Sequence, residues 1–363
     1  MPKDSSVSDC SSTSEIVPHS RPTLGERERA AVLSVLEAGH PGAGPQVAAL
    51  EERAAAHFAA PGAVATGSGS QALLLALLGL KLTAGKRVAI PAFTCSAVLH
   101  AVEWAGAEPV LLDCAPGEIS PDPESLAPGE VDAVVLVHPW GYALDADHWI
   151  DRAPILIEDC AGSIGAEWND RPVGTTGAAA IMSFYATKML CSGEGGLLTA
   201  SDVGVLDRVR DLRDYDGKET PARRFNFKLS DLQAALARVQ FDRLEEFVTA
   251  RRAIAARYDE QVPELGLRPV EPAPGCRPGW YRYLCWCPGT ADELLAFAES
   301  SGVHCRRPVP VTLDRLTGCA PLPEAGNAWR RLISLPLYPG LSGEEQERVI
   351  ATLAEARTQG IIT

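Results

Sequence analysis

The chain has few lysines, methionines and aromatic residues: 6 lysines stand against 27 arginines, with 3 methionines and 6 % aromatics. Basic residues are outnumbered 33 to 47, a net charge of −14. That excludes a broad electrostatic grip on nucleic acid or on an anionic membrane, while a local pocket for one phosphate remains open. The 10 cysteines contain no Cys-x-x-Cys pair and no histidines cluster at metal-ligand spacing, so no metal centre is expected. Their scatter along the chain reads as reduced cytoplasmic thiols and not as a disulfide framework. No run approaches the roughly 18 apolar residues of a membrane span. Residues 1–20 are rich in serine and have no apolar core, so they read as a disordered tail and not as an export signal.

What is present is ordinary globular material, 46 % hydrophobic and 22 % charged over 363 residues, enough for about two domains. Helical spacing is expected over 23–36, 46–58, 71–80 and 96–105. Between and after these lie short apolar runs at 88–90, 110–112, 134–137 and 155–157, followed by strand-like runs at 178–184 and 197–199. Strands that are apolar on both faces and separated by helices imply an α/β fold with a mostly parallel central sheet flanked by helices. An uninterrupted helical pattern from 231 to about 258 leads away from the sheet. Beyond it come Pro- and Gly-rich connections, a strand near 281–287 and helices at 292–301 and 344–356. The expected division is a large domain over 21–250 and a smaller C-terminal α+β domain over 251–363.

Three features carry chemistry. Asp159 ends the run Ile155–Asp159, and in open α/β sheets ligands bind beyond the carboxyl ends of the strands. The turn Gly67-Ser68-Gly69-Ser70 joins a strand to a helix, where small residues expose backbone N–H groups to a phosphate at the positive helix end. Lys188 lies between two strands among mostly uncharged neighbours, where a lysine can lose its proton and form a Schiff base. Each feature alone is weak: an Asp at a strand end is more often a cap, a Gly-Ser turn a plain loop, a lone lysine a solvated side chain. Together they are a carboxylate for a pyridinium nitrogen, a phosphate cradle and a Schiff-base lysine, the set that pyridoxal 5'-phosphate requires.

The blocks Arg21–Glu28, Gly44–Val47, Ser68–Leu73, Pro91–Thr94, Ile157–Ala161, Ser183–Lys188, Gly193–Gly196, Asn226–Ala235 and Leu335–Leu341 occur in the order and spacing of a known family. The chain resembles the DegT/DnrJ/EryC1/StrS sugar aminotransferases, of fold type I, from about residue 21 to 356. The resemblance implies that Lys188 is the Schiff-base lysine and proton carrier, that Asp159 keeps the ring nitrogen protonated, and that Ser183, Gly69 and Ser70 bind the phosphate. It also implies that Asn226 reaches the phosphate of the neighbouring subunit, hence a homodimer with shared active sites. Glutamate or glutamine would be the donor and a keto sugar, nucleotide-linked, or a related cyclic ketone the acceptor, in amino-sugar or antibiotic biosynthesis.

Three positions depart from the family pattern. Cys95 stands where an aromatic residue usually stacks on the cofactor, Gly162 where a Gln or His contacts the ring or its phenolic oxygen, and Met189 where Asn commonly follows the lysine. Phe93 or Tyr185 would supply the missing contact if the change is compensated. Two other readings stay open: dehydration or other carbon–nitrogen chemistry on the same cofactor, and a non-catalytic regulator or partner subunit. His138 reads equally as a substrate contact and as a satisfied turn residue. Arg306, Arg307, Arg330 and Arg331 form the nearest approach to a basic pocket, with a solvated face as the plainer reading.

Overall fold

A computed structural model describes residues 16–362. Its main layer is a seven-stranded sheet built from β1 (Ala63–Thr66), β2 (Arg87–Pro91), β3 (Glu108–Leu112), β4 (Ala133–Val137), β5 (Ile155–Asp159), β8 (Ala179–Ser183) and β9 (Gly196–Ala200). The spatial order is β1-β9-β8-β5-β4-β2-β3. The β3, β2, β4, β5 and β8 pairings are parallel, and β9 runs antiparallel to both β8 and β1. The short strand β6 (Glu167–Trp168) pairs with β7 (Arg171–Pro172) on one side and β11 (Cys276–Arg277) on the other, while β10 (Arg268–Pro269), β12 (Tyr283–Trp286) and β13 (Leu332–Leu335) make another three-stranded sheet. The central strands are buried along nearly their whole length, as expected of a sheet covered by helices on both faces.

The expected α/β architecture is therefore found, with boundaries shifted by a residue or two at most elements. Four differences have identifiable causes. The helical pattern from 231 breaks at Arg243, which leaves helical geometry (φ −99°, ψ 5°) and separates the helices Asp231–Asp242 and Leu244–Gln261. A boundary at 250/251 falls inside the second of these helices, which makes that helix the connector between the two sheets. A helix at Val203–Arg213 was not expected, because its charged residues hide the short apolar stripe of Val205, Leu206 and Val209 that it buries. Residues 16–20, assigned above to a disordered tail, are held in the fold. Val17 is fully buried, donates to Gly302 O and accepts from His304 N–H at 2.8 and 2.9 Å, and the His19 ring hydrogen-bonds Ser334 Oγ. The remainder of that tail, 1–15, lies outside the described residues.

Two of the family-like blocks meet in space. Asp231, 2 % exposed, accepts from the N–H groups of Gly44, Gln46 and Val47 at 2.9, 3.2 and 2.9 Å. A carboxylate at that place satisfies the orphan donors of the helix Pro45–His57 and meets its positive end. Asp231 thus fixes the helix entry, which explains an acidic residue in that block without any catalytic role.

Candidate active site

Asp159 and Glu158 are adjacent, both buried, and have opposite surroundings. Glu158 accepts from His138 Nε2 at 2.9 Å and from the N–H groups of Gly174, Thr176 and Gly177 at 2.8, 2.8 and 2.7 Å. Burial pushes its carboxyl up, but the His138 bond and these N–H donors outweigh it and hold it at about 2. His138 Nδ1 accepts from Leu144 N–H at 3.1 Å, so Nε2 carries the proton and donates to Glu158. This settles His138 as a satisfied turn residue.

His138, Glu158 and Cys160 place ligand atoms within 4.8 Å of one another. A metal would have to displace the Nε2 proton while Nδ1 is held as an acceptor, and Glu158 already takes four donors. The cluster is a filled hydrogen-bond network.

Asp159 is less satisfied. Its Oδ1 accepts from Ala161 N–H at 2.9 Å, and among the described residues Oδ2 has no donor. Burial raises its carboxyl above the usual range, opposed by the Ala161 bond and by the charges of Lys188 and His138. A buried carboxylate with a free oxygen calls for a cationic donor.

Lys188 is half-buried, makes no ion pair among the described residues, and projects its Nζ to 5.1 Å from the centre of the Tyr281 ring. Its backbone N–H donates to Tyr185 O at 2.8 Å, one turn in the loop between β8 and β9.

The Gly67–Ser70 turn opens the helix Gly69–Gly79. Ser68 is its N-cap, with Oγ accepting from Gln71 N–H at 3.2 Å. The N–H groups of Gly69 and Ser70 have no acceptor among the described residues and stand at the positive helix end. A Cβ on Gly69 would lie 2.8 Å from Ser183 Cβ, so glycine lets the turn close against the end of β8 and brings the Ser183 hydroxyl beside the free donors. Gly196 closes the other side: a Cβ there would be 2.3 Å from Ser68 O and 2.6 Å from Gly69 N.

The structure thus brings Asp159, Lys188, Ser183, Gly69 and Ser70 to one end of the sheet. A free pair of N–H donors, a hydroxyl, a half-satisfied buried carboxylate and an unpaired amine fit the phosphate, ring nitrogen and aldehyde of pyridoxal phosphate. Cys95 precedes the helix Ser96–Ala105 at the carboxyl end of β2 and is exposed. Asn226 is exposed too, and its side chain has no partner among the described residues, although the next residue, Phe227, accepts from Gly67 N–H at 2.9 Å.

The two expected substitutes differ in their surroundings. Tyr185 is 47 % exposed, and Phe93 is buried against Trp140 at 5.0 Å between ring centres. The aromatic ring that Lys188 Nζ faces belongs to Tyr281, which precedes β12 in the second sheet. Its hydroxyl lies 3.4 Å from Thr187 Oγ1. Burial pushes the phenol up, but Lys188, Arg282 and the Thr187 hydroxyl outweigh it and hold it at about 7.

Its backbone is tightly determined: Trp280 and Trp140 both have positive φ, +55° and +46°. Gly279 N–H donates to Gly141 O and Arg282 N–H to Trp140 O, at 2.8 and 3.1 Å. Buried Arg251 donates through Nη1 to the carbonyls of Trp280, Tyr281 and Leu337 at 3.2, 3.1 and 2.9 Å. Bulky residues hold such φ values only where their surroundings enforce them. Of the four arginines, Arg306 and Arg330 are exposed, as a solvated face requires, whereas half-buried Arg307 is tied to Trp329 O and Asp292 and half-buried Arg331 donates to Cys287 O, so these two brace the second sheet.

Fold and site together define a pyridoxal-phosphate enzyme of fold type I. Residues 22–354 match the DegT/DnrJ/EryC1/StrS aminotransferase family, and the chain belongs to that family of sugar aminotransferases. It is 33 % identical over 349 residues to the dTDP-3-amino-3,4,6-trideoxy-alpha-D-glucose transaminase of Streptomyces venezuelae, covering 90 % of this chain and 91 % of the relative. It is 30 % identical over 380 residues to the spore coat polysaccharide biosynthesis protein SpsC of Bacillus subtilis, covering 93 % and 96 %. The crystal structure of the aminotransferase TlmJ from Streptoalloteichus hindustanus superposes with a TM-score of 0.90 at 27 % identity, covering 96 % of this chain and all of the other.

Proposed function

We propose that this aminotransferase moves an amino group from glutamate or glutamine to a nucleotide-linked keto sugar or related cyclic ketone, in amino-sugar or antibiotic biosynthesis. The observation that carries the reading is the unpaired amine of Lys188 at the strand end that also holds the half-satisfied carboxylate of Asp159. The similarity to a transaminase named for a dTDP-sugar supports the choice of acceptor. Pyridoxal phosphate, when bound, supplies the ring that accepts the electron pair left behind when a proton leaves the substrate carbon.

This chain's residues do the rest. Gly69 and Ser70 N–H groups and the Ser183 hydroxyl hold the phosphate. Asp159, whose Oδ1 is taken by Ala161 N–H, would accept the ring N–H through Oδ2 and so keep the nitrogen cationic. Lys188 Nζ, which has no ion pair among the described residues, would take the proton from the substrate carbon and return it. The exposed, unpartnered Asn226 supports a homodimer in which each subunit completes the other's phosphate site. The thiol-rich composition supports a cytoplasmic location.

The test is turnover of glutamate with a panel of nucleotide-linked keto sugars. The wild type is expected to aminate at least one and to show a colour change with the donor alone. Lys188→Ala is expected to lose at least about 1000-fold in rate through loss of its proton carrier. Undiminished amination by that variant would overturn the assignment of Lys188, and amination of none of the keto sugars would overturn the acceptor class.

A further inference from the structure

Position 162 is the clue. A Cβ built on Gly162 would lie 3.2 Å from Tyr281 Cδ1 and 3.5 Å from Cε1, and φ at Gly162 is not in the left-handed region that would by itself favour glycine. The reason for glycine there is therefore space, and the side chain using that space is Tyr281. The same ring is 6 % exposed, faces Lys188 Nζ at 5.1 Å and has the Arg282 guanidinium 5.3 Å from its centre.

We propose that Tyr281 is a catalytic residue of this enzyme, covering Lys188 and the cofactor ring from the second sheet, and that Gly162 and Tyr281 form one functional pair in which the tyrosine replaces a side chain at 162. The proposal rests on the cofactor assignment above. It has a physical logic: a ring contact from β5's following turn needs a side chain on that turn, whereas a contact from the loop before β12 needs that turn stripped to hydrogen. Arg251 and the interlocked loops at Trp140–Gly141 and Gly279–Arg282 then act as positioning residues, because a ring reached from a second sheet has no helix or strand of its own to orient it. The charged groups facing the phenol are Lys188 and Arg282, and with the Thr187 hydroxyl they hold its pKa well below the ordinary tyrosine range against the effect of burial.

The experiment is a double-mutant cycle read by cofactor affinity, with a titration of the cofactor-free protein as a second readout. Gly162→Gln is expected to weaken pyridoxal phosphate binding about tenfold or more in the wild-type background, by pushing Tyr281 aside, and by far less in the Tyr281→Ala background, where the space is free. Tyr281→Phe keeps the ring and tests the hydroxyl without risk to folding. In cofactor-free wild type, ultraviolet phenolate absorbance should show one tyrosine ionising at about 7. That transition should vanish in Tyr281→Phe and move upward in Lys188→Ala.

Equal effects of Gly162→Gln in both backgrounds, or a neutral-pH phenolate transition that persists in Tyr281→Phe, would overturn the pairing. Failure of the wild type to bind the cofactor at all would instead overturn the cofactor reading, so the two failures are distinguishable.

Discussion

Asp159 and Glu158 show how far neighbouring carboxylates can diverge. Successive strand residues point to opposite faces, so one side chain enters a closed network and the other faces the site. Glu158 has a folded-state value of about 2 against an ordinary 4.5. Being depressed on folding, it stabilises the fold above about pH 4.5 and loses that contribution as pH falls toward about 2. Glu158→Gln should remove this acid-dependent component. It should also cost on the order of 2–4 kcal/mol at neutral pH, since four donors lose a charged acceptor. Urea unfolding at a series of pH values checks both, and a variant with the wild-type midpoint at pH 7 would refute the network's role. At this scale the sequence was partly legible. Asp159 and Lys188 stood out because a carboxylate after an apolar strand and a lysine in a chain poor in lysine are locally odd. Tyr281 did not, because its meaning lies in a glycine far away along the chain, and no pattern within one element records that contact.

Among the elements, the proposed phosphate cradle depends on three backbones meeting, and its glycines are not equivalent. A Cβ on Gly196 would strike Ser68 O and Gly69 N, both main-chain atoms, so relief requires moving β9 or the start of the helix Gly69–Gly79. Gly193, two residues from Gly195 in the same stretch, has φ +80° and nothing near its Cβ position, a left-handed position that Asn also tolerates. Gly196→Ala should therefore weaken cofactor binding about tenfold or more and lower the melting temperature by several degrees, whereas Gly193→Asn should change affinity less than about threefold. Cofactor titration and thermal melts of the two variants decide it, and equal behaviour would show that the turn is not the cradle. The strands were legible because burial on both faces leaves continuous apolar runs. The helix Val203–Arg213 and the break at Arg243 were not: the first carries a narrow stripe among charges, and the second preserves helical periodicity on both sides while the axis changes.

On the scale of the molecule, one apolar cluster runs from Val17 and the helix Pro45–His57 through Tyr258 to Ile362. The second sheet is packed onto the first rather than tethered to it. That continuity lets Arg251 and Tyr281 act across the junction, while the strap around Asn226 faces outward. Phe225 and Phe227 N–H groups bond Leu212 and Arg213 carbonyls, fixing the strap beside the Gly67 turn. The Asn226 side chain meanwhile presents an amide to whatever lies beyond the chain. In a two-fold dimer a patch that reaches the partner's site is reached by it in return, so defects in Asn226 and in Lys188 should complement between subunits. Asn226→Ala should weaken cofactor binding about tenfold through loss of a phosphate hydrogen bond. Co-expressed with Lys188→Ala at equal dose, about half of the dimers are mixed, each holding one doubly impaired and one intact site, so activity should return to about a quarter of the wild type. Activity equal to the average of the two parents would show that each subunit completes its own site. An Asn226→Ala enzyme with wild-type affinity would remove the residue from the phosphate site altogether.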